Sequence, residues 1–527
     1  MTNSINLPEL RKQISALKQN NNWKGIYDLV QPIITLKEND EIWNNHKILS
    51  DIGFAIGKLA ETPKVRLLPQ EEKAFRNQQK LYRENTELLR KRCIELSPEN
   101  SAYHANLGYF HYQNINELSG MNRRDGNIWD EIKYCQKAIE KSLSLDNRRI
   151  SEHYRLGKVL VEKVPNVILW GKQFHNLSLS ERQQQVRDLV RLGIEHFRLA
   201  EELWENLSYE HPEQNEQKKR FRKEYIKTLY ALGGAYLEQL GNNSDIVLAD
   251  VAIEAHKYEP RVTDFDEDSI KTAVKYYIKC ILEDAKLDWK EYKNNPDKIF
   301  EAASMHGEED GVHKLYSMGK VLLRQFILKS RTSKNDNDKV KAGMFVEKFL
   351  KAAIALPYSP GFSKQNKLYV AECLAKFYLA QNNYLKAIEV IETEIKQKRR
   401  TYAQLDEYIL QTLMTAYTLQ DNKSKVVEIA NALATKHNPK RAWLTPYLLG
   451  CVMLRVGEID EAKKHIQKAE ELGKAEGKEN IDSVFIARSF AFIKGQDKDH
   501  AISCLEKALE INPQNDTARK YLKKWRG

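Results

Sequence analysis

The chain has 527 residues, 42% hydrophobic and 30% charged, with only 23 Gly and 14 Pro. That balance excludes a collagen-like chain and a Pro/Gly-rich disordered one, and it fits a helical protein with much surface per residue. Lysine plus arginine outnumber aspartate plus glutamate by 84 to 73, a net +11 that is mild at this length and compatible with an acidic partner, peptide or nucleic acid. No stretch approaches the ~18–20 uninterrupted apolar residues of a membrane span. The opening MTNSINLPELRKQ has no apolar signal core, so the expected location is the cytoplasm. Cys93, Cys135, Cys280, Cys373, Cys451 and Cys504 lie far apart with no C-x-x-C pair, which predicts buried reduced thiols rather than a disulfide or zinc framework.

In chain order, NLPELRKQISALKQNNNWKGIYDLVQPIITL predicts an opening helical hairpin, and Ile52-Gly53 marks the first helix of the next. Pro98 is followed by His104, Leu107 and Gly108; in the same register Asn147 is followed by His153, Leu156 and Gly157. Gly193, Phe197 and Ala200, then Leu232, Gly233 and Tyr236, then Ala273, Tyr277 and Cys280 continue the scheme. Asp264, Asp266, Glu267 and Asp268 resemble a cation site but are read as charging the start of a helix near Ser269, which complements its dipole. Met318-Gly319 opens another first helix, and Phe345, Phe349, Ala352 and Pro357 close its partner. From there the repeat is regular: Ala387 with Ile391, Val426 with Ala430 and Leu433, Ala462 with Ile466 and Ala469, and Ala501 with Leu505, Ala508 and Pro513. These anchors are spaced by 39, 36 and 39 residues.

These residues resemble the tetratricopeptide repeat family, whose pattern is W-x2-L-G-x2-Y followed by A-x3-F, A and P. The resemblance implies an all-α, right-handed solenoid of about nine helical hairpins in one continuous array. Opening hairpins are expected at 1–60, irregular repeats with long insertions at 61–340, regular repeats at 341–512 and a capping helix at 513–527. Small residues belong where helix backbones approach, and large ones fill the spaces between; one hairpin cannot bury its apolar face alone, so hairpins stack. Insertions are expected at about 114–130, 164–182, 241–268, 287–312 and 330–341, with SKNDNDK (333–339) as a solvated loop.

No phosphate-binding loop, dinucleotide fingerprint, nucleophile elbow or H-E-x-x-H occurs, so a non-enzymatic protein without cofactor or metal is expected. In the resembled family the first helices line a concave groove. The positions that would face it are Tyr109 and Tyr112, Tyr154 and Lys158, Lys227 and Tyr230, Tyr316 with Lys320 and Arg324, Tyr369 and Lys376, Tyr408, and Tyr447 with Arg455. Tyrosine offers rigid area plus a hydroxyl, and a lysine four residues on sets a cation beside the ring. The expected function is a scaffold or adaptor that holds a protein or peptide partner with acidic residues, as a subunit of a larger complex. The competing expectation is RNA or single-stranded nucleic acid, with bases stacked on the tyrosines and phosphates on the cations. The Lys/Asn set of a chaperone-tail clamp is missing. The largest share of binding energy is expected at Tyr316 and Arg324, and less at Tyr447.

Overall fold

The computed structural model describes residues 7–34, 41–61, 69–120, 127–174, 176–177, 179–239, 267–305, 307–332, 336–357, 366–436, 443–475, 482–513 and 515–527. Among them every regular element is a helix and no strand occurs. The chain forms two compact units, Met1–Ala231 and Leu232–Gly527, each built from paired antiparallel helices.

In the first unit α1 (Leu7–Gln19) pairs with α2 (Trp23–Ile34), α3 (His46–Leu59) with α4 (Pro69–Leu96), and α5 (Ser101–Gly120) with α6 (Asn127–Leu145). Next, α7 (Ile150–Lys158) runs through a π-helical turn, Val159–Lys163, into α8 (Val164–Trp170); together they pack on α9 (Leu179–Glu205). Pro165 lacks the amide that the ladder needs, and the wider turn just before it absorbs the break. Part of the insertion expected at 164–182 is therefore first helix. Similarly, 114–120 belongs to α5 rather than to an insertion. The short α10 (Pro212–Arg220) leads into α11 (Arg222–Gln239), which contains the unit boundary. One core gathers Leu10, Ile14, Ile26, Ile52, Ile56, Leu89 and Cys93; another gathers Ile115, Ile132, Cys135, Leu156, Leu160 and Ile168.

The second unit continues with α12 (Glu267–Asp284), α13 (Trp289–Tyr292), α14 (Pro296–Ser304), α15 (Gly311–Thr332) and α16 (Asp336–Ala355). The pairs α17 (Asn366–Ala380) with α18 (Tyr384–Gln397), α19 (Glu407–Leu419) with α20 (Lys423–Ala434), α21 (Leu444–Val456) with α22 (Ile459–Ala475), and α23 (Asp482–Lys494) with α24 (Lys498–Ile511) follow. Helix α25 (Asp516–Arg526) covers the last pair with Ala518, Tyr521 and Trp525, as the tail sequence predicts. Helix α12 starts at Glu267, in keeping with the capping role read for the acidic run, whose earlier members Asp264 and Asp266 lie outside the described residues, as does most of 241–268. The expected loop at 333–339 is already helix from Asp336.

The regular turns repeat in phase with the sequence anchors. Asn382, Asp421, Gly457 and Gln496 each end a first helix in the left-handed region, at φ +58°, +57°, +91° and +63°. The next amide then bonds the carbonyl five residues back: Asn383 to Tyr378 (2.8 Å), Asn422 to Tyr417 (3.0 Å), Glu458 to Met453 (2.9 Å) and Asp497 to Phe492 (2.9 Å). The side chains of Asn383, Asn422 and Asp497 immediately cap the second helix, each accepting an amide at 3.2 Å. Asn21 and Asn22 build the same turn between α1 and α2.

Between α12 and α15 the chain is held by charge. Asp284 and Lys314 pair at 2.8 Å with side chains 0% and 1% exposed. The Asp284 carboxylate also accepts the amides of Glu308 (2.7 Å) and Glu309 (3.4 Å). A Cβ on Gly307 would fall 2.4 Å from that carboxylate. The end of the insertion expected at 287–312 is thus wrapped round a buried ion pair.

Within a pair, the first helix approaches the second at its small residue. A Cβ on Gly108 would lie 2.6 Å from Ile139, on Gly157 2.6 Å from Phe197, on Gly319 2.4 Å from Leu350 and on Gly450 2.6 Å from Ile466. At Gly53 the nearest atom, Leu89 Cβ, is 3.5 Å away, an ordinary contact. Opposite signs are therefore expected for two identical substitutions. Gly319→Ala should lower the denaturation midpoint through overpacking worth about 1–3 kcal/mol. Gly53→Ala should raise it, because alanine is favoured in a helix by up to ~1 kcal/mol. Urea melts of the two variants beside the wild type decide this, and equal shifts would contradict the packing described.

Candidate functional site

On the first helices of the N-terminal unit, Tyr109 and Tyr112 sit three residues apart on α5 and stack with centroids 6.5 Å apart, 21° between planes. From α7, the Arg155 guanidinium lies 4.5 Å over the Tyr109 ring. Arg155 and Arg149 share one carboxylate, Glu152, at 2.6 and 3.2 Å. Lys158 pairs with Glu162 across the start of the π-helical turn. Lys163 is partly buried, which lowers its pKa; Glu162 opposes that shift and Lys158 adds to it. Burial raises the Tyr112 pKa, against the charge of Lys158 and a hydrogen bond from Asn116. The structure therefore brings Tyr109, Tyr112 and Lys158 together. It adds Arg155, which the sequence reading passed over although it directly follows Tyr154. Tyr154 itself rests 6.2 Å from Phe197, and Lys227 and Tyr230 are half-buried on α11.

In the second unit the Lys320 ammonium sits 5.3 Å over the Tyr316 ring, the pairing expected from the i, i+4 spacing. Arg324 donates to the Leu237 carbonyl at the end of α11, a helix-terminating contact. Lys376 pairs with Glu372 at 2.5 Å, and Glu372 also accepts Thr412 Oγ1 at 3.0 Å. Arg455 reaches Asp421 at 3.6 Å. Tyr447 is 6% exposed and packs on Trp443. Tyr369 donates to Asp406, whereas Tyr408 is exposed. On α19 every residue except Tyr408 is buried. Its polar stripe is satisfied by neighbours: Thr415 and Thr418 donate to the carbonyls four residues back, Thr412 to Glu372, and Gln411 to Glu407.

All six cysteines are buried and none forms a disulfide. Burial pushes the Cys93, Cys135 and Cys373 thiols up to about 12, far from nucleophilic range. Among the described residues no group of three or more His, Cys, Asp or Glu is arranged to hold a metal ion, and no helix is long and apolar enough to cross a membrane.

No protein-family model matches the chain, and no curated protein matches it in sequence. Among solved structures, yeast Tom70 is similar at 13% identity and TM-score 0.33, covering 98% of this chain and 95% of that one. The Cut9–Hcn1 hetero-tetramer of APC/C is similar at 12% and 0.31 (98% and 96% covered), and Naa15/Naa10 bound to HypK-THB at 10% and 0.27 (98% and 96% covered). Likeness at this level assigns neither partner nor activity, and the architecture rests on the helix pairs described above.

His104 and His153 occupy the same position in successive first helices. Each ring Nε2 lies within hydrogen-bond distance of the carbonyl six residues earlier, His104 to Pro98 at 2.8 Å and His153 to Asn147 at 2.9 Å. A carbonyl only accepts, so Nε2 of His153 carries the proton and its Nδ1 accepts from His196 Nδ1 at 2.9 Å. Burial, then the neighbouring His153, lowers the His196 pKa from 6.5 to about 4; burial also lowers that of His153. The unfolded chain then takes up protons that the folded one refuses, so stability falls as pH drops from about 6.5 towards 4. Thermal melts of wild type and His196→Asn at pH 7 and pH 5 test this. The wild type should lose more between the two than the variant, and equal losses would remove the pair as the cause.

Proposed function

We propose that this chain is a non-enzymatic helical-repeat scaffold that holds an acidic protein or peptide segment against the first helices α5 and α7. The observation that carries the reading is charge beside stacked rings. Tyr109 and Tyr112 form a platform with Arg155 over it, while Arg149 and Arg155 have a single glutamate between them. Tyrosine and arginine in partly enclosed positions are the residues most often found to dominate binding energy. Tyr316 with Lys320 offers the same pairing in the second unit. Lys376, Arg455 and Tyr447 are matched or enclosed there, which favours a supporting role for them.

The finer frame belongs to the same proposal: about nine hairpins in a right-handed tetratricopeptide-like array, working in the cytoplasm as a subunit of a larger complex. Six buried thiols in no disulfide fit a reducing compartment. A fold alone does not give function, so the reading stands or falls at the site. The test is an array of acidic, neutral and basic peptides probed with the full chain. Tyr109→Ala and Lys158→Glu should each weaken acidic-peptide binding at least tenfold, about 1.4 kcal/mol. Tyr134→Ala, on a second helix with its ring 56% exposed, should change it less than twofold. Equal and negligible losses would overturn the assignment. So would preferential binding of single-stranded RNA whose log affinity falls with log salt at about −0.7 per phosphate.

A further inference from the structure

The N-terminal unit keeps a buried arginine that its own carboxylates do not neutralise. Arg90, on α4, is 9% exposed. Its Nη1 donates to the Asn106 carbonyl, and the guanidinium lies 5.6 Å from the Phe110 ring. Asn106 is interior to α5, so that carbonyl already has a helical partner and does not require the arginine. Among the described residues no Asp or Glu pairs with Arg90. Loss of hydration lowers its pKa to about 10, which leaves it charged at neutral pH. A guanidinium carries five donors, and one bond uses a fraction of them.

Arg90 lines a small recess, with about 20 Å3 open to water-sized groups, between α3, α4 and α5, together with Ser50, Phe54, Cys93, Tyr103 and Asn106. Two of these groups are committed elsewhere: Tyr103 Oη bonds His46 Nδ1 at 2.5 Å, and Cys93 Sγ donates to the His46 carbonyl at 3.4 Å. The Ser50 hydroxyl and Asn106 carboxamide make no side-chain hydrogen bond among the described residues. The recess thus offers uncommitted donors and a positive charge, without a carboxylate of its own. At its rim Phe54 is 42% exposed, with the ammonium groups of Lys18 and Lys58 at 5.5 and 5.8 Å from its ring; these lysines pair with Asp51 and Glu61. That space admits the head of one small polar group, such as a carboxylate, and not a whole ligand.

We propose that this recess receives the carboxylate of a single Glu or Asp side chain from the acidic partner segment, with Arg90 as the anchoring charge. The inference deepens the reading given under Proposed function and rests on it. A buried charge completed only by the ligand makes a specific prediction: its replacement by an apolar residue of similar length leaves the free protein as stable or more so, while binding is lost. A structural arginine behaves in the opposite way.

The probe is a fluorescent hexaglutamate, acetylated and amidated so that only side-chain carboxylates remain, titrated by anisotropy against the full chain in 50 mM salt. Arg90→Met should weaken binding at least tenfold with a melting midpoint equal to or above that of the wild type. Arg90→Lys, which keeps the charge but loses the planar fork, should recover part of the affinity. Gly57→Ala should also weaken binding, because its Cβ would stand 3.3 Å from Arg90 Nη2. Unchanged affinity in Arg90→Met, or a lowered melting midpoint, overturns the proposal. Loss in Tyr109→Ala with none in Arg90→Met keeps the platform reading and removes this one; the reverse keeps the recess and removes the platform. No hexaglutamate binding by the wild type removes both, and Arg90-dependent binding of single-stranded RNA in its place assigns the recess to phosphate.

Discussion

The close approach of two helices at one small residue is the constraint on which the rest of the architecture depends. At Gly108, Gly157, Gly319 and Gly450 the first helix lies so near the second that even a methyl group would overlap a side chain. That proximity lets Ile139, Phe197, Leu350 and Ile466 lie against bare backbone, and it fixes the register of each pair. Once a pair is set, its apolar outer face has no cover of its own, and the next pair supplies it. Stability is therefore assembled pair by pair, and the turns need only return the chain. The left-handed residue and following Asn or Asp cap at 382–383, 421–422 and 496–497 do this within two residues.

Two units made by the same rule leave different material for recognition. In the regular repeats the first helix α19 is enclosed on nearly every side. The hydroxyls of Thr415 and Thr418 return to their own helix, and Glu372 and Glu407 are met by Lys376, Thr412, Gln411 and Thr445. Polar groups satisfied in this way hold an interior together and offer a partner little. Between α5 and α7, Arg155 lies over the Tyr109 ring, and Arg155 and Arg149 share the one carboxylate of Glu152. Binding surfaces are built from what folding leaves unmet, and here that condition is concentrated in the first unit.

The helices were largely legible in the sequence because their signals are local. Anchors recurring at 36 to 39 residues marked the regular pairs, glycines such as Gly108, Gly157 and Gly319 marked close contacts at wider spacing, and α25 followed from an amphipathic tail after Pro513. The i, i+4 spacing of Tyr316 and Lys320 was enough to bring cation and ring together. The turn chemistry was legible too, since Asn383, Asn422 and Asp497 recur in register, but a reading fixed on apolar anchors passed over it. Long-range contacts were not legible. Nothing in the spacing of Asp284 and Lys314 foretells that they meet inside the second unit, because the meeting depends on how residues between α14 and α15 fold back. Arg90 lies on a second helix, outside the first-helix positions that the repeat pattern marks as groove-facing. An insertion was expected from about 164, whereas a π-helical turn lets the first helix run on past Pro165.

Two of the buried cations, Lys314 and Arg90, differ in how their charge is met inside the chain. Lys314 meets Asp284 at 2.8 Å, and two backbone amides take up capacity left on the carboxylate. Desolvation of both ions is offset inside the chain, and what remains is geometric specificity: this pairing holds the end of an irregular connection where a repeat contact cannot. Arg90 is buried nearly as deeply, but its charge is met by one carbonyl and the face of a ring. Neither is a counter-charge, so the guanidinium is left without a carboxylate partner among the described residues. A carboxylate that enters from outside therefore gains more at this position than on an exposed lysine, because part of the desolvation has been met in advance by folding. The same pre-organisation makes the position selective, since a neutral or cationic side chain in the recess would leave the buried charge uncompensated.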